Sequence, residues 1–456
     1  MNSSLVTIYI TNHNYGKFII QSIESVLNQS YREFELIIID DGSTDNSLAL
    51  IDGYIDNPKI CLIKQNRKGL NACNNIALKE AKGKYFIRLD ADDYFGTTAI
   101  EKMVKILDEN KKIALVFPDY HLIDVDSNII RTIYRHNFNA DVTLFDQPAH
   151  GACTMIRKNV LTEVGGYDDE FDRQDGYDLW IKVINKHQVS NINEPLFYYR
   201  QHGSNLTKNS NKLLRTRARI KEKYIKGRDY APLNILTIIP VRGSSIDSSS
   251  NPLRKLGEKC LIDWTVDIAI SSHNVKDIII STPDLIVQNY IDEKYSNKVL
   301  TLERKLELAR INIGIEGTIE EALSFYQKQY SIPDAVLILY IDYPFKQSWQ
   351  LDETVHTMQI FDVDVVDGIR MDDRFYYKHD GTGLKPIIKD GGLHLERDQL
   401  YRRVGGVHLI NTGFFKEKKK MISGEIGHIH FDQVTGFQIK TEVDWEIASL
   451  LSNYFL

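Results

Sequence analysis

The sequence predicts an α/β protein made of two doubly wound domains. Three observations carry that expectation. Strand-like and helix-like segments alternate from Val6 to Leu89, the alternation restarts after Pro232, and a strongly basic stretch separates the two. With 456 residues, 43% of them apolar and 26% charged, the chain has a folded protein's balance and material for more than one core.

The elements follow in order. Val6 to Ile10 is β-branched and reads as a strand. Ile19, Ile20, Ile23, Val26 and Leu27 recur at helical spacing, so a helix with one buried face follows. Glu35 to Asp40 is a short, nearly continuous apolar run, as expected of a parallel strand covered on both faces. Asp45 to Tyr54 reads as a helix, Lys59 to Lys64 as a strand and Asn71 to Ala81 as a helix stopped by Gly83. Lys84 to Leu89 is the next strand. This βαβαβ order places a ligand crevice at the carboxyl ends of the strands.

Between Asn205 and Tyr230 the character changes. Lys208, Lys212, Arg215, Arg217, Arg219, Lys221, Lys223, Lys226 and Arg228 are opposed only by Glu222 and Asp229. The segment 207–232 reads as a solvated, basic helical connector. It is either a plain surface helix or, through residues 208–228, a peripheral contact with an anionic membrane or lipid-linked acceptor. After Pro232, Ile235 to Ile239 is a strand, Arg242 to Asn251 a Gly/Ser loop and Leu261 to Ile270 a helix. Asp277 to Ser281 and Ala335 to Ile341 are further strands. The expected domains are therefore 1–206 and 233–456.

Composition excludes several classes. A net charge of -6 provides no global basic field for nucleic acid. Cys61, Cys73, Cys153 and Cys260 are far apart and lack zinc-site spacing, which fits reduced thiols in a cytoplasmic protein. The opening residues have no cationic stretch before an apolar run, and no apolar run reaches membrane-spanning length. Any membrane role is expected to be peripheral, on the cytoplasmic face.

Two acidic clusters sit where strands should end. Asp40-Asp41-Gly42-Ser43 follows the run ELIII, and Asp90-Ala91-Asp92-Asp93 follows KYFIRL. Carboxylates gathered in one crevice repel unless a cation neutralises them. A hard divalent ion, Mg2+ or Mn2+, is the natural occupant and would in turn bind a diphosphate. Helix capping could account for Asp41 or Ser43 alone, but poorly for both clusters.

The stretch VTIYITNHNYGKFIIQSIESVLNQSYREFELIIIDDGSTDNS resembles the opening of family 2 inverting glycosyltransferases, which have the GT-A fold. NRKGLNACNNIALKEAKGKYFIRLDADD is similar to their next block, ending in a DxD motif. GGYDDEF followed by RQDGYDLWIKV is similar to their acceptor-side block. The resemblance implies that Thr11 and Asp41 hold the nucleotide base and that Asp90 lies near the ribose. It makes Asp92 the metal ligand to the diphosphate, with Asp93 an adjacent alternative. Asp175 becomes the catalytic base, and His202 a late histidine approaching the metal or diphosphate. Asn12-His13 and Asp175-Gly176 depart from the usual residues, and the latter leaves open whether Asp178 shares the base role. The implied reaction is metal-dependent, inverting transfer from a nucleotide-diphosphate donor, with a UDP-sugar expected, to a glycan or lipid-linked acceptor in surface polysaccharide synthesis. Inversion needs one displacement, one carboxylate to take the acceptor proton and one cation at the leaving diphosphate.

The stretch LNILTIIPVRGSSIDSSSNPLRKLGEKCLIDWTVDIAI resembles the start of cytidylyltransferases that make CMP-activated acidic sugars, such as CMP-sialic acid synthetases. DIIISTPD, LILYIDYPFK, RRVGGVHLIN and FQIKTEVDWEIA fit their later blocks. Both domains are then Rossmann-like nucleotide-sugar folds, GT-A first and nucleotidyltransferase-like second. The departures fall on the chemistry. The first loop keeps Arg242 but carries Asp247 and no lysine, and Gln438 and Lys440 stand where magnesium-binding aspartates are expected. A catalytically degenerate second domain is the economical reading. Two alternatives stay open: a bifunctional enzyme that also makes a CMP-sugar, and a non-catalytic glycan-binding or assembly protein.

Overall fold

A computed structural model of the chain describes residues 4–134, 151–202, 210–243, 247, 250–372, 374, 376–387 and 400–454. Two compact units divide it, residues 1–217 with 374–398 and residues 218–373 with 399–456. Three earlier expectations lie outside the described residues: the boundary at 206/207, Lys208, and half of the serine-rich loop (244–246 and 248–249).

In the first unit the expected strands form as β1 (Val6–Asn12), β2 (Phe34–Asp41), β3 (Ile60–Gln65) and β4 (Tyr85–Asp90). They pair in parallel in the order β3-β2-β1-β4. The register sets Thr11 opposite Asp90 and Asn12 opposite Asp40, so the polar strand ends share one edge. The crossovers are α1 (Ile19–Leu27), α2 (Ser47–Asp52) and α3 (Leu70–Glu80). Because strand side chains alternate, Ile8 and Ile10 pack with Ile19, Ile23 and Val26 on one face. Tyr9, Ile37 and Ile39 pack with Cys73 and Ala77 on the other. Gly83 follows α3 where the chain passes close to β1, and a Cβ there would lie 2.8 Å from Thr7 Oγ1.

The unit continues through β5 (Tyr94–Phe95), α4 (Ala99–Glu109), β6 (Ile113–Ile123), β7 (Ile129–Ile133) and β8 (Met155–Arg157). After these come α5 (Lys158–Glu163), α6 (Asp175–Ile184), β9 (Gln188–Arg200) and the start of α7 (Ser210–Lys226), whose residues from Ala218 on belong to the second unit. Strand β8 joins antiparallel beside β4, and β6, β9 and β5 extend the sheet.

The basic stretch is helical, but its expected uniform solvation is corrected. Ala218, Ile220, Lys221 and Tyr224 are buried. Lys221 Nζ pairs with Glu353 Oε1 at 3.0 Å and donates to Thr357 Oγ1 at 2.9 Å. Ala218, Lys221 and Tyr224 recur every three positions, with Ile220 four before Tyr224, and give the helix a buried stripe that a count of charges conceals.

The second unit contains β10 (Ile235–Pro240), β11 (Lys255–Leu256), β12 (Lys259–Cys260), α8 (Leu261–Ser271), β13 (Asp277–Thr282), α9 (Leu285–Tyr295) and β14 (Leu300–Glu303). Then come α10 (Glu316–Tyr326), β15 (Ala335–Leu339), α11 (Ser348–Phe361) and β16 (Val365–Asp372). A separate hairpin that belongs to the first unit, β17 (Tyr377–His379) and β18 (Leu384–Pro386), comes next in the chain, and the second unit resumes with β19 (Leu400–Asn411), α12 (Thr412–Lys418), β20 (Ile426–His430) and α13 (Glu442–Ser452). The second sheet has the order β14-β13-β10-β15-β19-β16-β20, parallel from β14 to β15 and antiparallel where β19 enters. Among the described residues, no helix is long and apolar enough to cross a membrane.

Candidate active site

The crevice of the first unit is built from strand ends. At the end of β2, Asp40 closes the turn itself: its Oδ1 accepts from Ser43 N at 2.9 Å and its Oδ2 from Asn12 Nδ2 at 2.7 Å. Asp41 accepts from Gln65 Nε2 (2.7 Å), Lys68 N (2.7 Å) and Gly69 N (2.8 Å). Burial works against its charge, but these donors hold its carboxyl below the usual range. Gly42 has φ +74°, and a Cβ there would sit 2.9 Å from Arg67 N, so the turn after Asp41 needs glycine.

At the end of β4, Asp90 Oδ1 lies 2.9 Å from Arg88 Nε and 3.4 Å from Thr11 Oγ1. Burial raises the Asp90 carboxyl to about 6; the Asp92 and Asp175 charges add to the rise and Arg88 opposes it. Asp92 Oδ2 and His202 Nε2 are 2.7 Å apart. The His202 ring is held edge-on to Tyr15 (5.7 Å) and stacked near Phe18 (6.0 Å). The late histidine and the second aspartate of the DxD, 110 positions apart in sequence, therefore meet. Asp93 is 1% exposed, and its Oδ1 accepts from Arg200 N at 2.8 Å. Burial, then Asp92 and Asp90, push its carboxyl well up.

Arg200 holds this corner together. Its Nε donates to Asp92 O (2.8 Å), Nη1 to Asp124 O (2.9 Å) and Nη2 to Gln21 Oε1 (2.7 Å), and its guanidinium lies 4.7 Å from the Phe18 ring centre. Among the described residues, no group of three His, Cys, Asp or Glu side chains forms a ready metal cage.

Asp175 is the first residue of α6, and Gln174 before it adopts φ +63°, the left-handed region. Asp175 is buried. Arg88 Nη1 donates to its Oδ2, and Asn74 Nδ2 reaches the same oxygen at 3.4 Å. Asp178, one turn on, is engaged differently: its Oδ2 accepts from Lys182 Nζ at 2.6 Å, and burial raises its carboxyl. Thr154, Tyr167 and Trp180 line the wall beside Asp175. From the start of α7, Arg217 Nε donates to Gln174 Oε1 at 2.7 Å, and its guanidinium lies 5.0 Å from the Tyr177 ring centre.

Thr11, Asp90, Arg88 and Asp175 thus form a contiguous chain, the Asp92–His202 pair follows directly on β4, and Asp41 closes the neighbouring strand end. Sequence reasoning missed Arg88, Asn74 and Arg200. Arg88 had one available signal, a charge inside the otherwise apolar strand run YFIRL.

In the second unit, Arg242 Nε donates to Ala309 O at 3.2 Å, and Arg242 Nη1 lies 3.8 Å from Asp247 Oδ2. The first loop was expected to present Arg242 alone. Arg304, just past β14, supplies a second guanidinium; burial and then the nearby Arg242 charge draw it down to about 10. Gln438 Nε2 donates to Asp342 Oδ2 at 2.6 Å, and burial raises that carboxyl. Lys440 N donates to Asp444 Oδ2 at 3.0 Å, helping to start α13.

Comparison with known proteins fits this geometry. The profile described as Glycosyl transferase family 2 matches residues 7–165, and that described as Cytidylyltransferase matches residues 236–309. The Escherichia coli UDP-Glc:alpha-D-GlcNAc-diphosphoundecaprenol beta-1,3-glucosyltransferase WfaP is 31% identical over 214 residues, 46% of this chain and 82% of that protein. The chain belongs to glycosyl transferase family 2. Its family 2 region is also 28% identical over 202 residues to Escherichia coli chondroitin synthase, covering 44% of this chain and 29% of that protein. The chain therefore spans less than a third of chondroitin synthase. Among solved structures, residues 1–349 of S. aureus TarS in complex with UDP-GlcNAc align at 15% identity with a TM-score of 0.43, covering 50% of this chain and 68% of that one. The family 2 domain has a GT-A-like α/β fold, and a second α/β domain bears the cytidylyltransferase match.

Proposed function

We propose that this protein transfers a sugar, with inversion, from a nucleoside-diphosphate donor to a hydroxyl of a glycan or lipid-linked acceptor in surface polysaccharide synthesis. The observation that carries the reading is the meeting of Asp90, Asp92, His202 and Asp175 at one crevice although they come from three separate segments. The name of WfaP, a UDP-glucose transferase acting on a diphosphoundecaprenol-linked sugar, supports a UDP-sugar donor and a lipid-linked acceptor.

In this reading Thr11 and Asp41 flank the base and Asp90 the ribose. Asp92 and His202 would hold a divalent ion. The fit is favourable, because a carboxylate oxygen and an imidazole nitrogen already converge at 2.7 Å and GT-A glycosyltransferases generally use divalent metals. Two protein ligands leave room for diphosphate oxygens and water, the usual arrangement for Mg2+ or Mn2+. When bound, the ion supplies positive charge to the departing diphosphate. Asp175 takes the acceptor hydroxyl proton as that oxygen bonds to the anomeric carbon and the bond to the diphosphate breaks. Both carboxylates pair with a cation, and Asp175 is preferred to Asp178 because its partner, Arg88, also meets the donor-side Asp90, whereas Asp178 pairs with Lys182 of its own helix.

We read the second unit as a nucleotidyltransferase-like domain without turnover. Arg242 and Arg304 keep cations at the first loop, but the Gln438 amide engages Asp342 where a metal-binding carboxylate is expected. The test of the main reading is UDP release by the purified chain from a panel of UDP-sugars, with Mg2+ or Mn2+ and with lipid-diphosphate-linked and oligosaccharide acceptors. Metal-dependent release stimulated by an acceptor is expected. Neither release nor binding of any nucleotide sugar would refute the reading.

A further inference from the structure

A buried arginine in the middle of a parallel strand is costly unless its charge is used. Arg88 is 4% exposed and sits between Ile87 and Leu89 on β4. Arg88 and Asp90 project from the same face of the strand, and Nε meets Asp90 Oδ1 at 2.9 Å. Nη1 pairs with Asp175 Oδ2, although Asp175 is 87 positions away. Gly151 packs against this pair: a Cβ there would lie 2.8 Å from Arg88 Nη2 and 3.2 Å from Asp175 Oδ2. Behind it, Tyr9 Oη donates to Asn74 Oδ1 at 3.0 Å, and Asn74 also reaches Asp175.

We propose that Arg88 is a positioning residue of the transfer reaction, its single guanidinium tying the donor-side carboxylate Asp90 to the acceptor-side base Asp175. This rests on the reading of Asp175 given above. The Nη1 arm of this rigid, planar ion donates to Asp175, while its Nε edge stands 2.9 Å from Asp90 as an ion pair without a hydrogen bond; one planar guanidinium thus reaches two carboxylates at once, which the point charge of a lysine ammonium does not reproduce. Arg88 Nη1 and Asn74 Nδ2 both donate to Asp175 Oδ2, which assigns Oδ1 to the acceptor hydroxyl.

Arg88→Lys separates positioning from simple neutralisation, because it keeps the charge and loses the fork. In the full-length protein the expected result has three parts: cooperative unfolding, UDP affinity within about threefold of wild type, and kcat for UDP release in the presence of acceptor reduced on the order of 10²-fold with donor KM little changed. Wild-type kcat in Arg88→Lys would overturn the proposal, as would a kcat loss matched by an equal loss of UDP affinity. A second measurement covers the case in which Arg88→Lys does not fold. Arg88→Gln made on top of Asp175→Asn removes both charges of the pair, and it is expected to lower the residual rate by less than about threefold; a further tenfold drop would overturn a role exerted through Asp175. An inactive wild-type protein would refute the glycosyltransferase reading itself. Full activity of Asp175→Asn would refute the base assignment, and an active wild type with an unaffected Arg88→Lys refutes Arg88 alone.

Discussion

The two units lay out their sheets alike and use the strand ends differently. Each has four parallel strands in the order third, second, first, fourth, followed by an antiparallel strand. In the first unit the edge carries Asp41, Asp90, Asp92 and Asp93, balanced by Arg88, Arg200 and His202. In the second the corresponding edge carries Arg242, Arg304, Asp247 and Asp342; Arg242 faces Asp247, and the Gln438 amide engages Asp342. One backbone plan therefore supports a crevice rimmed by four carboxylates in the first unit and one with two neighbouring guanidiniums in the second. Fold and chemistry are separable here, because the sheet is specified by buried apolar residues and the chemistry by a few residues at its rim.

Changes at the rim should separate the units most. Asp92→Asn in the first unit is expected to reduce transfer on the order of 10³-fold or more and to abolish metal-dependent UDP binding, with cooperative unfolding retained. Undiminished wild-type turnover in a chelator would contradict it. Asp175→Asn should cost about 10²–10⁴-fold in kcat with UDP affinity near wild type, the usual worth of a general base. The same pattern in Asp178→Asn would move the base one turn along α6.

Buried charges in the second unit should matter to stability and not to transfer. Lys221→Met leaves Glu353 without its buried cation and is expected to cost about 3 kcal/mol, read as a lowered unfolding midpoint. His356 gives a smaller, pH-dependent effect. It is buried, it accepts from Asn274 Nδ2 at 3.1 Å, and burial lowers it to about 4 against the opposing charge of Asp352. The folded state thus holds it neutral while the unfolded chain begins to bind a proton near pH 6.5, so stability is lost as pH falls from about 6.5 to 4. The loss should be about 1–3 kcal/mol, and His356→Gln should flatten it in urea titrations at pH 7.5 and 4.5. The smallest expected signal is none: with CTP, Mg2+ and a panel of acidic sugars, the full-length Asp92→Asn protein should release no pyrophosphate. Release that is lost on Arg242→Ala would give the second unit a catalytic role.

Much of the architecture is legible in the residue order. The strand runs from Val6, Glu35, Lys59 and Lys84, the crossover helices between them and the restart at Ile235 all form close to where periodicity puts them, because burial on both faces demands apolar residues at fixed spacing. Family resemblance brought Asp41, Asp90, Asp92, Asp175 and His202 to attention, each of them a polar residue in a recognisable block. Lys221 shows the limit: a charge count places it in solvent, and only tertiary packing reveals the Glu353 carboxylate opposite it.

What the sequence alone determined is therefore the local order of strands and helices, and the kinds of groups available at their ends. Partners distant along the chain were decided by the fold: Asp92 with His202, Arg88 with Asp175, Asp93 with Arg200 and Gln438 with Asp342. The physical reason is one of range. Propensity and hydrophobic periodicity act within a turn or a strand, whereas pairing a buried charge needs two elements docked in one register before either group leaves water. Arg88 shows this most clearly, being an anomaly inside an apolar strand until β4 and the start of α6 are packed together, when it becomes the link between two carboxylates.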